Sequence, residues 1–150
     1  MKKILTFCIL ILLNNCSGYS PIFSSKQINF YIDEIIVDNE NKLLRKIVKN
    51  LKPYTTINNK KKISLELALN VEEKVTLRDT KGNVATEEMK ISLNVKTVYE
   101  NNDIEEFSLN EKFSFSNQSN KFELNQYKKS IQSTLVDKIF QDLIIRLRAL

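Results

Sequence analysis

ISLELALNVEEKVTLRDTKGNVATEEMKISLNVKTVY, from Ile63 to Tyr99, is the stretch from which the architecture follows. Ile63, Leu65, Leu67, Leu69 and Val71 alternate with Ser64, Glu66, Ala68, Asn70 and Glu72, and the pattern resumes at Val75 and Leu77. On the far side Ala85, Met89, Ile91, Leu93, Val95 and Tyr99 alternate with Thr86, Glu88, Lys90, Ser92, Asn94 and Lys96. A period of two sends alternate side chains to opposite faces, so both runs read as strands with one apolar face. Between them lies Asp79-Thr80-Lys81-Gly82-Asn83. A three-residue loop over Thr80 to Gly82 opposes Leu69 with Leu93, Leu67 with Val95 and Ile63 with Tyr99, which keeps the apolar side chains on one face. The same loop sets Gly82 where such connections need left-handed backbone, and leaves Lys81 at the tip.

Working outward, Ile104 to Phe115 reads as a further strand. A loop over Asn101 to Asp103 opposes Val95 with Leu109 and Ile91 with Phe113. Glu111 does not fit the apolar face, and a bulge or a sheet margin is expected there. Upstream, Ile28, Phe30 and Ile32 alternate with Asn29, Tyr31 and Asp33 before the apolar phase slips to Ile35 and Val37. Asp38 to Lys52 is predicted to be helical, with Leu43, Leu44, Ile47, Val48 and Leu51 on one face, Asp38 or Asn39 as cap, and Pro53 as the stop. From about Lys121 to Arg148, Leu124, Tyr127, Ile131, Leu135, Ile139, Leu143 and Leu147 recur at helical steps behind an Asn120 and Glu123 capping pattern. The order is β-α-β-β-β-α. It predicts an α+β two-layer sandwich, with a four-stranded, mostly antiparallel sheet and both helices on its apolar face. Strand order is left open, and the other face is expected to be polar.

The N-terminus has a different character. Lys2 and Lys3 precede an uncharged run from Ile4 to Leu13, which is followed by Asn14, Asn15 and Cys16. Ten helical residues rise about 15 Å, half of a bilayer's hydrocarbon core, which suits the apolar region of a signal peptide better than a membrane span. A cysteine directly after that region is where lipoprotein signal peptidase cuts, and Leu13-Asn14-Asn15-Cys16 resembles a lipobox apart from Asn15, where a small residue is usual. Residues 1–15 are therefore expected to be a signal peptide, 16–26 a tether whose Cys16 carries acyl chains such as palmitate, and 27–150 a single domain.

Composition narrows the chemistry. Lys+Arg total 23 against 18 Asp+Glu; losing Lys2 and Lys3 leaves 21 − 18, an excess of +3. That is too mild a charge for nucleic-acid binding. Histidine is absent, and the other cysteine, Cys8, lies within the segment expected to be removed. His-dependent triads, disulfides and Cys/His metal sites are thereby excluded, so no catalytic residue, metal site or cofactor is expected. Glu72-Glu73, Glu87-Glu88 and Glu105-Glu106 are neighbours on strands, so the members of each pair point to opposite faces and read as solvated charges. Lys60-Lys61-Lys62 and Lys128-Lys129 read as solvated surface too. Arg78 and Lys81 stand apart because they flank a protruding tip, where cations suit anionic head groups or phosphates and serve equally to keep an exposed tip soluble.

Cys16 followed closely by Gly18-Tyr19-Ser20-Pro21-Ile22, then strand, helix, three strands and a long C-terminal helix, resembles the LPS-assembly lipoprotein LptE in its short, alphaproteobacterial-type form. The hairpin segments Asp79 to Val84 and Met89 to Leu93 are similar to the family's pattern, and the resemblance spans essentially the whole chain. It implies a non-catalytic lipoprotein on the periplasmic side of the outer membrane that plugs the LptD β-barrel and contacts lipopolysaccharide. It further implies that Arg78 and Lys81, with Lys121 as a second position, bind LPS. Ser17 after the anchored cysteine favours outer-membrane sorting. The alternative from the residues themselves is an auxiliary lipoprotein of another lipid or ABC transport system.

Overall fold

Gly82 adopts φ +83°, and the amide of Asp79 donates to the carbonyl of Asn83 at 2.8 Å, closing the loop over Thr80 to Gly82. This computed structural model describes residues 29–38, 41–56 and 61–149; the expected signal peptide, the tether and Cys16 lie outside them. From that closure the two long strands, β2 (Lys61–Arg78) and β3 (Val84–Tyr99), pair antiparallel with Leu69 opposite Leu93, Leu67 opposite Val95 and Ile63 opposite Tyr99, as the alternation predicts. The ladder slips only near the tip, between Val75 and Arg78.

β1 (Phe30–Val37) lies parallel to β2, and β4 (Ile104–Ser116) antiparallel to β3, giving the order β1-β2-β3-β4. Parallel neighbours need a crossover, and α1 (Lys42–Leu51) supplies it. The slip of phase in β1 is a bulge: Ile32 opposes Ile63 and Glu34 opposes Ser64, so Asp33 is an extra residue. The bulge returns Ile35 to the core side, opposite Leu65. α2 (Lys121–Ala149) is about 43 Å long and lies over β3 and β4, beside α1. Lys46 joins the helices, 2.6 Å from Asp137 and donating to Ser133 Oγ at 2.8 Å. Among the described residues no helix is long and apolar enough to cross a membrane.

One continuous core fills the space between the layers. Ile32 from β1, Leu44, Ile47 and Leu51 from α1, Leu65 and Leu67 from β2, and Ile91 and Leu93 from β3 are at most 1 % exposed. Phe30 stacks on Tyr54 with ring centroids 5.7 Å apart. In α2 the predicted stripe is buried at Leu124, Ile131, Leu135, Ile139, Leu143 and Leu147. Val136 and Ile144 are buried as well, because the helix meets α1 on one flank and the sheet on the other.

Two expectations are corrected. α1 begins at Lys42, not Asp38: Asp38 still donates its amide to Leu67 of the sheet, and Asn41 is the cap, accepting from the amides of Leu43 and Leu44 at 2.6 and 3.1 Å. The second loop covers Glu100 to Asn102, with Asn102 at φ 65° in the left-handed position, one residue earlier than Asn101 to Asp103. Val95 therefore opposes Phe107 and Ile91 opposes Glu111, while Phe113 opposes Met89. A shift of two along the partner strand keeps every side chain on its face, so the pattern of alternation did not distinguish the two registers. For Glu111 the expected sheet margin is what is found: β4 is an edge strand without a bulge, and Lys138 of α2 reaches the core-side carboxylate at 2.9 Å.

Thr97 is fully buried, and among the described residues its hydroxyl has no hydrogen-bond partner. Thr97→Val keeps the shape and removes the orphaned group, and is expected to raise the unfolding free energy by about 1 kcal/mol. A lower thermal midpoint in that variant would contradict the assignment.

Candidate functional site: the hairpin tip and the polar sheet face

The tip is built around Asp79. Its carboxylate accepts from the amides of Lys81 and Asn83, each at 2.8 Å, and from the Asn83 side-chain amide at 3.1 Å. These bonds, led by that from the Asn83 side chain, hold the Asp79 carboxyl below its ordinary pKa. The acid is thus spent on shaping the loop. Arg78 lies along it, Nη1 donating to the Gly82 carbonyl at 2.9 Å, while Lys81 is exposed at the turn.

Lys121 opens α2 and is exposed. The chain before it is tied to the hairpin: Asn117 donates its amide to Ala85 and its side-chain amide to the Val84 carbonyl at 3.0 Å. Asn120 then caps α2, accepting from the Phe122 amide at 3.0 Å. Arg78, Lys81 and Lys121 are therefore brought to one end of the molecule, but no ion pair or hydrogen bond links them. Sequence reasoning missed the apolar groups at this end. Leu77 is 59 % and Phe122 71 % exposed, with Val75, Phe113 and Tyr127 also partly in solvent. For Val75 and Leu77 the signal was present in β2, where the apolar alternation runs on toward the tip.

Just inside the tip, Lys128 corrects another expectation. Its ammonium lies 2.8 Å from Glu73 and 2.7 Å from Glu87, and 5.4 Å from the Phe115 ring. The adjacent-glutamate pairs do split across the two faces, but the core-side members Glu73 and Glu87 meet again around this lysine. Burial works against the ammonium, yet the hydrogen bonds to Glu73 and Glu87 prevail and raise its pKa above the ordinary lysine value. Lys61 is likewise more than a solvated charge, 4.4 Å above the Tyr99 ring, and Lys62 pairs with Asp33 at 3.1 Å. Among the described residues no group of three or more His, Cys, Asp or Glu side chains is arranged to hold a metal ion.

The sheet face away from the helices is laced by polar rungs. Ser92 Oγ donates to Asn110 at 2.7 Å, Ser108 Oγ donates to Asn94 at 2.6 Å, and Lys96 pairs with Glu66 at 2.9 Å. No helix among the described residues covers it.

Bacterial lipoproteins of known structure share this fold. The rare lipoprotein B of Shewanella oneidensis is 15 % identical, with a TM-score of 0.54 over 73 % of this chain and 92 % of its own. A minor lipoprotein of Acinetobacter baumannii matches at 12 % identity and TM-score 0.59, over 81 % and 93 %. Lipoprotein B of Nitrosomonas europaea matches at 11 % identity and TM-score 0.63, over 88 % and 91 %. At these identities the likeness is one of fold. No family model matches the sequence, and no curated protein sequence matches it either.

Lys128→Met leaves Glu73 and Glu87 facing each other, and is expected to cost about 1–2 kcal/mol near neutral pH, between the values of exposed and buried pairs. Because the folded-state pKa of Lys128 is raised, this contribution is complete below the ordinary lysine pKa of about 10.4 and fades as pH rises through the folded value. Denaturant titrations of wild type and variant from neutral to alkaline pH test it; a gap that does not narrow would assign the effect to packing instead of charge.

Proposed function

We propose that this protein is a non-catalytic outer-membrane lipoprotein of the LptE type, which plugs and supports the LptD β-barrel and contacts lipopolysaccharide during its assembly. The observation that carries the proposal is the hydrogen-bonded polar face of the sheet, which no helix among the described residues covers: Ser92, Asn94, Lys96, Ser108 and Asn110 form a surface suited to the polar lumen of a barrel. The fold shared with solved lipoproteins and the cysteine directly behind an apolar leader support it. Acylated Cys16 would hold the domain at the membrane surface, with the tether of residues 16–26 setting its reach.

Lipopolysaccharide is an anionic amphiphile. The tip end offers both halves of a complementary surface, the cations Arg78, Lys81 and Lys121 beside exposed Leu77 and Phe122. Among the described residues Asp79 forms no ion pair with Arg78 or Lys81, because its carboxylate is turned into the loop by the amides of Lys81 and Asn83.

Affinity purification of the full-length protein from native membranes is expected to recover a large outer-membrane β-barrel. Recovery of an inner-membrane ABC system in its place would favour an auxiliary lipoprotein of another transporter and sink the plug assignment. Arg78→Glu with Lys81→Glu is expected to weaken LPS binding about tenfold while barrel recovery is unchanged, since charge-assisted contacts contribute about 1.5–3 kcal/mol each and exposed ones less. Equal binding by the variant would remove the tip from the site. Intact mass of the mature N-terminus is expected to show a lipid-modified Cys16; an unacylated terminus elsewhere would refute the anchor.

A further inference from the structure

β1 has a partner on one side only: it pairs with β2, and no strand among the described residues lies along its outer edge. Exposed edges are commonly blunted by charge, proline or a bulge. Here the bulge falls at Asp33, in the first half of the strand. The second half, Ile35-Ile36-Val37, is β-branched throughout, with Ile36 48 % and Val37 39 % exposed. A groove of about 370 Å³ runs between this half-strand and α1; Ile35, Val37, Leu44 and Val48 give it an apolar floor.

The groove's rim is charged with one sign. From Lys42 to Lys52 the chain carries five cations and no acid. Lys46 turns to Asp137 of α2. Lys42, Arg45, Lys49 and Lys52 recur at steps of three, four and three, so they share one helix face, and all are exposed. Arg45, Lys49 and Lys52 line the groove. Elsewhere Lys62, Lys74, Lys96 and Lys138 each face a carboxylate, but among the described residues no ion pair engages Lys42, Arg45, Lys49 or Lys52.

We propose that the free edge of β1 and the cationic face of α1 together form a docking surface for an extended acidic segment of a partner protein. The segment adds to the sheet as a fifth strand. Its carboxylates, on the side facing α1, meet Arg45, Lys49 and Lys52 over the groove, and its alternate apolar side chains lie on the opposite face beside exposed Ile36. An anionic bilayer surface would satisfy the cations equally well. It would leave the backbone groups of β1 without partners in an apolar setting, which is costly, whereas a strand satisfies both. The proposal stands apart from the LPS assignment, because it uses a different edge of the sheet and none of the tip residues.

The test uses the full-length protein in a non-ionic detergent and a fluorescein-labelled nine-residue peptide of alternating Val and Glu, followed by fluorescence anisotropy. Saturable binding is expected that weakens with added salt. It should fall at least tenfold in Arg45→Glu/Lys49→Glu, whose exposed positions leave the core untouched, as circular dichroism can verify. The same peptide with alternate backbone amides N-methylated keeps its charge and loses its strand donors, and should also bind at least tenfold more weakly. Equal binding of the methylated peptide would overturn strand addition. No binding of the parent peptide, with capture by phosphatidylglycerol vesicles that the double variant loses, would assign the surface to lipid and overturn the proposal. So would no binding to either probe.

Discussion

The closure of the β2–β3 hairpin at Gly82 is the constraint on which the rest depends. Strand side chains alternate with a period of two, so a loop one residue longer would turn one strand's apolar set away from the helices. Gly82 accepts left-handed backbone at little cost, and Asp79 secures the loop through amides on its far side. With that register set, Leu65, Leu67, Leu69, Met89, Ile91 and Leu93 form one apolar floor, and the helices have a single place to go.

The same register leaves polar groups on the core side, and the structure handles them by position. Near the margins of the helix layer the inward acids meet helix cations: Glu73 and Glu87 meet Lys128, Glu111 meets Lys138, and Glu105 meets Arg146 at 2.7 Å. These pairs ring the core and keep part of their solvent contact, which avoids the full cost of burying charge. Thr97 lies further in and has no such partner among the described residues. The cations of α1 follow the opposite logic, with only Lys46 drawn inward and the remainder left along an open strand edge.

Function divides along the same geometry. The helix-covered face is spent on stability, and the proposed contacts draw on the polar face, the tip and the β1 edge. The three differ in chemistry: hydrogen-bonding rungs on the polar face, cations beside exposed apolar groups at the tip, and a strand edge with no strand partner among the described residues beside a cationic helix.

Much of this was legible in the sequence. Alternation over Ile63 to Tyr99 determined both long strands, their register and the polarity of their faces, and helical spacing determined both helices and nearly all of their buried stripes. The tip cations were also legible, because a glycine-bearing loop between long strands places Arg78 and Lys81 at the extremity. What alternation cannot express is a shift by two, so the β3–β4 register waited on Asn102 taking the left-handed position in place of Asp103. Strand order, the regrouping of Glu73 and Glu87 around Lys128, and the groove beside β1 depend on residues far apart in the chain. Only packing decides which of them meet, since local periodicity carries each side chain's face and not its neighbour across the fold.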